Sequence, residues 1–219
     1  MTHKRPRPDT KPNRTTPIRG ATPNLLNLPM GLGELRIWRH PAAVGATGRC
    51  IGHTDLDVDR RRAKRLAHRI RALQRRSGAG RLILTSPLRR AAEVGRWLRR
   101  WGWQHRVDAR LSEADFGRWD GRRWADIQTA DMAGWTDDFV AFRPGGGESV
   151  QMLRQRVRAL LDDPALKGAS VWAVGHAGWL SALRTLHLEP PRAVDWPAAI
   201  GHGTALLARP VGGAAPTTP

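Results

Sequence analysis

The residues best placed to do chemistry are two histidines and several arginines, each following a short β-rich run. Arg39 and His40 follow the run Leu35, Arg36, Ile37, Trp38; Ser86, Arg89 and Arg90 follow the run 81–85; His176 follows the run 170–174. An open α/β sheet delivers the residues at the carboxyl ends of its strands to one crevice, so two imidazoles and at least two guanidiniums converge there. Such a cluster repels itself unless an anion joins it, and guanidinium forks match phosphate oxygens two at a time. Phosphate held this way has its charge masked, and a neutral imidazole nitrogen, of His40 or of His176, can attack phosphorus in line. The departing alkoxide needs a proton, for which Glu113 or Asp115 in the irregular segment downstream is the candidate acid. Arginines supply the charge neutralisation that a metal ion supplies elsewhere, and no triplet of clustered carboxylates is visible, so neither metal nor other cofactor is expected. Cys50 and His53 form a C-x-x-H pair, but two ligands are too few for a metal site.

These residues need a scaffold, and the hydrophobic pattern supplies one. The segment 60–76 places Ala63, Leu66, Ala67, Ile70 and Leu73 at helical spacing, and Gly78 and Gly80 end it. A strand follows at 81–85, then a helix opening near Pro87 that carries Leu88, Ala91, Ala92, Leu98 and Trp101. From 111 to 147 the chain is rich in Gly, Asp and Trp without regular period, which suits an irregular lid. Ser149 is placed to cap a helix carrying Val150, Leu153, Val157, Leu160 and Leu161. A strand at 170–174, a helix at 179–186 and a strand near 204–207 complete the set. Alternation of this kind predicts an α/β fold, a three-layer and mostly parallel sheet with helices on both faces.

Bulk properties narrow the possibilities further. The 219 residues carry 37 Lys and Arg against 19 Asp and Glu, a formal charge of +18, which favours anionic partners. Lysine occurs only at positions 4, 11, 64 and 167 and tyrosine is absent. A GC-rich coding bias explains that pattern as well as function does, and no aromatic RNA-binding segment or zinc-finger spacing accompanies the charge. Nucleic-acid binding is therefore expected only as non-specific electrostatics, and the expected partner is a small phosphorylated substrate. No apolar run approaches the roughly 18 residues of a membrane span, and a cytoplasmic protein is expected. A single cysteine excludes an internal disulfide. Residues 1–33 mix Pro, Thr, Asn and basic residues without period and are expected to form a disordered basic tail, as are residues 209–219, leaving one domain at 34–208. A passive extension, or a true beginning at Met30, is favoured over a polyanion-binding arm.

Taken together, the segments resemble the histidine phosphatase superfamily, which includes the phosphoglycerate mutases. Leu35-Arg36-Ile37-Trp38-Arg39-His40 is similar to its strand plus Arg-His signature, and Thr85-Ser86-Pro87-Leu88-Arg89-Arg90-Ala91 to its S-P-L-x-R-A segment. The run 111–121, from Leu111 through Glu113, Phe116 and Trp119 to Gly121, resembles L-x-E-x-D-F-G-x-W-E-G, and 144–149 resembles P-G-G-E-S. Val174-Gly175-His176-Ala177-Gly178 resembles the second-histidine segment. All five stand in family order between 35 and 178. The resemblance implies a phosphoglycerate mutase-like fold and a phosphohistidine mechanism without metal. His40 is then the nucleophile, Arg39, Arg90 and His176 bind phosphate, and Glu113 is the acid. Pro41 replaces the usual glycine after Arg-His, and Ala42, Ala43 and Ala46 replace common polar residues. Together with 48–55, Gly-Arg-Cys-Ile-Gly-His-Thr-Asp, this resembles the α-ribazole phosphatases of the cobalamin pathway.

Ser86, Arg49, Cys50 and His202 are expected to reach the substrate; the ten tryptophans are expected to pack the core and lid, with one or two of Trp119, Trp124 and Trp135 the alternative candidates for stacking on a substrate base. The implied activity is hydrolysis of a small organic phosphate such as α-ribazole 5′-phosphate. Two other activities compete. A mutase-like phosphotransferase usually carries a longer insertion than the stretch 121–144. A non-catalytic basic nucleic-acid module has no need of the acid Glu113.

Overall fold

The computed structural model describes residues 24–211, and in them a six-stranded sheet carries helices on both faces. Its strands are β1 (Asn24–Leu28), β2 (Glu34–Arg39), β3 (Leu82–Thr85), β4 (Gln104–Val107), β5 (Ser170–Gly175) and β6 (Ala205–Pro210), in the order β1-β6-β2-β5-β3-β4. Neighbouring strands are parallel except β2 and β6. The helices are α1 (Arg60–Ser77), α2 (Arg89–Arg100), α3 (Thr129–Asp137), α4 (Val150–Leu161) and α5 (Ala177–Arg184), besides short 3-10 turns.

Strand periodicity divides the core in two. On β2 and β5, Leu35, Ile37, Val171 and Ala173 face α4 and α5, meeting Leu153, Val157, Leu160, Leu180 and Leu183. The alternate residues Trp38, Trp172 and Val174 face α1 and α2, meeting Ala63, Leu66, Ile70, Ala91, Val94 and Leu98. A central strand buried on both faces is continuously apolar, which is why 170–174 reads clearly in sequence. The helix caps are also legible. The Asp59 carboxylate accepts from the amides of Arg61 and Arg62 at 2.7 and 3.4 Å, and Gly78, at φ 66°, returns its N–H to Gln74 O at 3.0 Å. Ser149 Oγ accepts from Met152 N at 3.2 Å, as its position predicts. Above the carboxyl ends of the central strands lies a small third core of Cys50, Trp119 and Ile127, with Phe116, Trp135 and Phe142 packed on it. This is the irregular lid, which α3 and its aromatic residues stiffen.

Two sequence expectations need correction. The chain from 24 to 33 is not a tail: β1 pairs with β6 in register Asn24↔Leu206 through Leu28↔Pro210, and Leu28 and Leu32 are both buried. β1 and β6 are far apart in sequence, so no local window reveals the partner that makes 24–28 a strand. At the other end β6 runs to Pro210, two residues beyond the expected boundary. The expected tails at 1–23 and 212–219 lie outside the described residues. The strand β4, Gln-His-Arg-Val, is an edge strand largely open to solvent, and its polarity hides it from any search for apolar runs.

Candidate active site

His40 follows the last residue of β2, and its amide still bonds to Gly175 O of the neighbouring β5 at 3.0 Å. Its Nδ1 lies 2.6 Å from Pro41 O. A carbonyl can only accept, so Nδ1 carries the proton and donates, leaving the Nε2 lone pair free. Burial, then the charge of Arg90, lowers the His40 pKa to about 3, so the ring is neutral near pH 7. His176, at the N-cap position of α5, places its ring centroid 4.8 Å from that of His40. Neither of its buried ring nitrogens has a hydrogen-bond partner among the described residues. Burial, His40 and Arg90 hold it well below its ordinary pKa of 6.5. Unpaired polar atoms at full burial are costly, and an acceptor oxygen could satisfy only the ring nitrogen that carries the proton.

Two guanidiniums stand beside the imidazoles. Arg90, in the first turn of α2 and only 1% exposed, donates from Nη1 to Thr54 O at 2.8 Å and from Nη2 to Gly52 O at 2.6 Å. Those carbonyls are held in turn by Asp120, whose carboxylate accepts from the amides of Gly52, His53 and Thr54 and from Thr54 Oγ1 at 2.6–3.0 Å. Burial opposes that charge, yet the four hydrogen bonds keep the Asp120 pKa below the ordinary carboxylate value. Arg39 donates from Nη1 to Ile200 O at 2.6 Å, while its buried Nε has no partner among the described residues. Burial lowers the pKa of both arginines against the attraction of Glu113.

Glu113 faces this cluster from the start of the lid. Burial pushes its carboxyl above the ordinary value, against the amides of Ala114 and Gly178 and the charges of Arg90 and Arg39. A carboxyl so placed keeps its proton to higher pH, as a general acid requires. Its backbone is pinned by Arg156 of α4, which donates to the carbonyls of Arg110, Ser112 and Glu113 at 2.8, 2.8 and 3.2 Å and pairs with Glu148 at 2.7 Å. A Cβ on Gly178 would stand 2.5 Å from Glu113 Oε1, so any side chain at this position would force the carboxyl to shift. Asp115, the other candidate acid, points elsewhere: its carboxylate accepts from Gly117 N at 2.8 Å, and it lines a separate cavity with His53.

A cavity of about 490 Å³ opens over these groups, with Arg39, His40, Arg90, Glu113 and His202 in its wall and Phe116, Trp124, Trp135 and Trp196 around them. Among the expected substrate contacts, Arg49 lines the rim and donates to Gly121 O at 2.8 Å, and His202 lines the wall with Nδ1 3.0 Å from His40 O. Ser86 and Cys50 do not belong to it. Ser86 is fully buried, and its Oγ accepts from Leu88 N at 3.2 Å, organising the turn into α2. Cys50 is packed against Trp119 and Ile127, its thiol pushed up to about 12 by burial. Trp119 lies in the lid core, unlike Trp124 and Trp135, which reach the cavity. Three contributors escaped the sequence reading. Arg156 looks like one more arginine of an Arg-rich helix, Trp196 stands outside any periodic run, and Asp120 is marked only by its place before Gly121 in the 111–121 segment.

Comparison with known proteins places the chain in a family. Two curated relatives from Mycobacterium tuberculosis, strains CDC 1551 / Oshkosh and ATCC 25618 / H37Rv, are both named glucosyl-3-phosphoglycerate phosphatase. Each is 37% identical over 139 residues, covering 57% of this chain. The chain spans about three-fifths, 61%, of the length of those relatives. Among solved structures, mycobacterial glucosyl-3-phosphoglycerate phosphatase in complex with inorganic phosphate superposes with a TM-score of 0.61 at 28% identity, over 80% of this chain and 88% of that one. A second solved structure, TTHB049 from Thermus thermophilus, gives 0.59 at 25% identity, over 80% and 92%. The model of the histidine phosphatase superfamily (branch 1) matches residues 35–207, from β2 into β6. The chain belongs to the histidine phosphatase superfamily.

Proposed function

We propose that the protein is a phosphomonoesterase that passes the phosphoryl group of a small organic phosphate through His40 to water. The observation that carries this reading is the neutral His40 ring, its Nδ1 proton held by Pro41 O, in the same cavity wall as two guanidiniums and a buried carboxyl. In the first step His40 Nε2 forms a bond to phosphorus as the ester P–O bond breaks, and Glu113 gives its proton to the departing oxygen. In the second, the Glu113 carboxylate takes a proton from water, the water oxygen bonds to phosphorus and the P–N bond breaks. That releases inorganic phosphate and restores both residues. Arg39 and Arg90 neutralise the equatorial oxygens, which is the charge stabilisation such a transition state needs. His176 fits beside them as a hydrogen-bond donor to phosphate.

The substrate's alcohol faces Phe116, Trp124, Trp135 and Trp196, flat surfaces that suit a ring. The curated relatives carry the name of a sugar-bearing ester, glucosyl-3-phosphoglycerate, rather than α-ribazole phosphate, so the narrower α-ribazole resemblance draws no support from them. Of the two esters the sugar-bearing one is favoured. Phosphatase names among the relatives also favour hydrolysis over mutase-type transfer. Among the described residues no helix is long and apolar enough to cross a membrane, and the proposed place of action is the cytoplasm. A panel of glucosyl-3-phosphoglycerate, α-ribazole 5′-phosphate, 3-phosphoglycerate and an aryl phosphate, assayed in excess chelator, tests this. Hydrolysis that persists without metal is expected, with the sugar-bearing ester preferred. Inactivity restored by Mg²⁺ or Zn²⁺ would refute the mechanism.

A further inference from the structure

A second concavity lies behind the wall of the first, where α1 faces the turn after His40. It encloses about 400 Å³, and its lining includes Arg62, Arg65 and Arg69 of α1 together with Ala42, His202 and Gly203. The three arginines are spaced i, i+3 and i+7, which puts them on one stripe of the helix. Among the described residues none of the three forms an ion pair, although Arg60 on the same helix lies 3.9 Å from Glu93. The nearest acid in sequence, Asp59, is committed to the first amides of α1. Ala42 and His202 line this cleft and the His40 cavity alike. Ala42 and His202, whose ring centroid stands 5.3 Å from that of His40, are thus the partition between the two spaces.

We propose that this cleft is a second oxyanion site, which takes a phosphate or carboxylate group beside the one held at His40. The three guanidiniums are exposed and share one stripe, and among the described residues only the Asp59 charge attracts Arg62 and Arg65, without an ion pair; an oxyanion seated there converts their mutual repulsion into charge-assisted hydrogen bonds. Burial and the neighbouring Arg39 and Arg62 lower the pKa of His202, against the hydrogen bond between its Nδ1 and His40 O. The oxyanion has two possible sources with the same chemistry: a second anionic group on the substrate, or free phosphate. The first rests on the phosphatase reading and would make the enzyme prefer esters carrying a carboxylate or a second phosphate. The second would make the cleft a product-sensing site.

Titration calorimetry of inorganic phosphate into the full chain tests the site without any need for turnover. Wild type is expected to bind phosphate at both places, and R62Q/R65Q/R69Q to keep the His40 site and lose the other. The charge-matched control R75Q/R76Q/R81Q, which removes three exposed arginines elsewhere, is expected to keep both. Kinetics then separates the sources. If the substrate's own second anion occupies the cleft, the triple variant raises KM for 3-phosphoglycerate about tenfold, the loss of one charge-assisted hydrogen bond. Its kcat, and its KM for glycerol 3-phosphate, stay unchanged. If free phosphate occupies it, both KM values hold and only a non-competitive effect of added phosphate disappears. A wild type that binds a single phosphate, or a control variant with the same losses as the triple variant, would overturn the proposal. A protein that binds two phosphates and hydrolyses no ester would keep the second site and refute the phosphatase reading instead.

Discussion

At the scale of single residues, the proposed mechanism gives proton donation to Glu113 and the attack on phosphorus to His40, and the two roles separate by leaving group. Glu113→Gln should slow alkyl phosphates by about 10²–10⁴-fold, the usual loss on removing a general acid. Aryl phosphates should suffer much less, because a phenolate departs without protonation; equal losses in steady-state assays would remove Glu113 from the role. Gly178→Ala should act on the same step by displacing the carboxyl, lowering kcat for alkyl more than for aryl esters. The depressed histidines also predict a stability profile. His40 titrates at about 3 in the folded chain and at its ordinary 6.5 when unfolded, so between those values the unfolded chain binds the extra proton. Stability contributed by keeping it neutral is present above pH 6.5 and falls as pH drops through that window, with buried His176 adding to the slope. Denaturation midpoints of His40→Gln should therefore fall less steeply with acid than those of wild type. What was legible here is what residue type decides: arginine and histidine after a strand announce phosphate chemistry. Ser86 and Cys50 misled because a small polar side chain next to a functional segment can be satisfied locally, and sequence does not show which way it turns.

Elements position those side chains, and two of them yield tests. Asp120 does not touch the phosphate position, but it holds the 52–54 loop whose carbonyls grip Arg90. Asp120→Asn keeps the shape and loses the charge, so KM for phosphate esters should rise about tenfold, the scale of one charged hydrogen bond; unchanged KM would show that Arg90 needs no such support. Deleting residues before Met30 removes β1 and the buried Leu28, whose burial alone stabilises the fold by about 1.5–3 kcal/mol. A clearly lower thermal midpoint is expected for that truncation, and an unchanged one would show that β1 contributes nothing to the sheet. Helices α1 and α4 and strand β5 were legible because period and caps agree with their final burial. β1 and β4 were not, since one depends on a partner far away in the chain and the other is a polar edge.

At the scale of the whole molecule, the ends of β2 and β5 bring the rings of His40 and His176 together. Helix α2 after β3 adds Arg90 and the lid adds Glu113 to the cavity that Arg39 and His40 line, while His176 is fully buried behind His40 and does not line it. Convergence at the strand ends could be anticipated from the α/β pattern. The tryptophan wall could not, because Trp124, Trp135 and Trp196 meet only once the lid has folded back over the sheet. The high positive charge should also steer dianionic esters, so kcat/KM should fall with added salt while kcat changes little; a parallel fall in both would place the salt effect on chemistry. The proposed mechanism requires one transient species, phosphate bonded to His40, which rapid acid-free quenching with intact-mass analysis would detect directly. Wild type mixed with an aryl phosphate should gain the mass of one phosphoryl group that is lost on mild acid treatment, and His40→Ala should gain none while still binding inorganic phosphate. Phosphate trapped on the His40→Ala protein would contradict the account and move the nucleophile to His176.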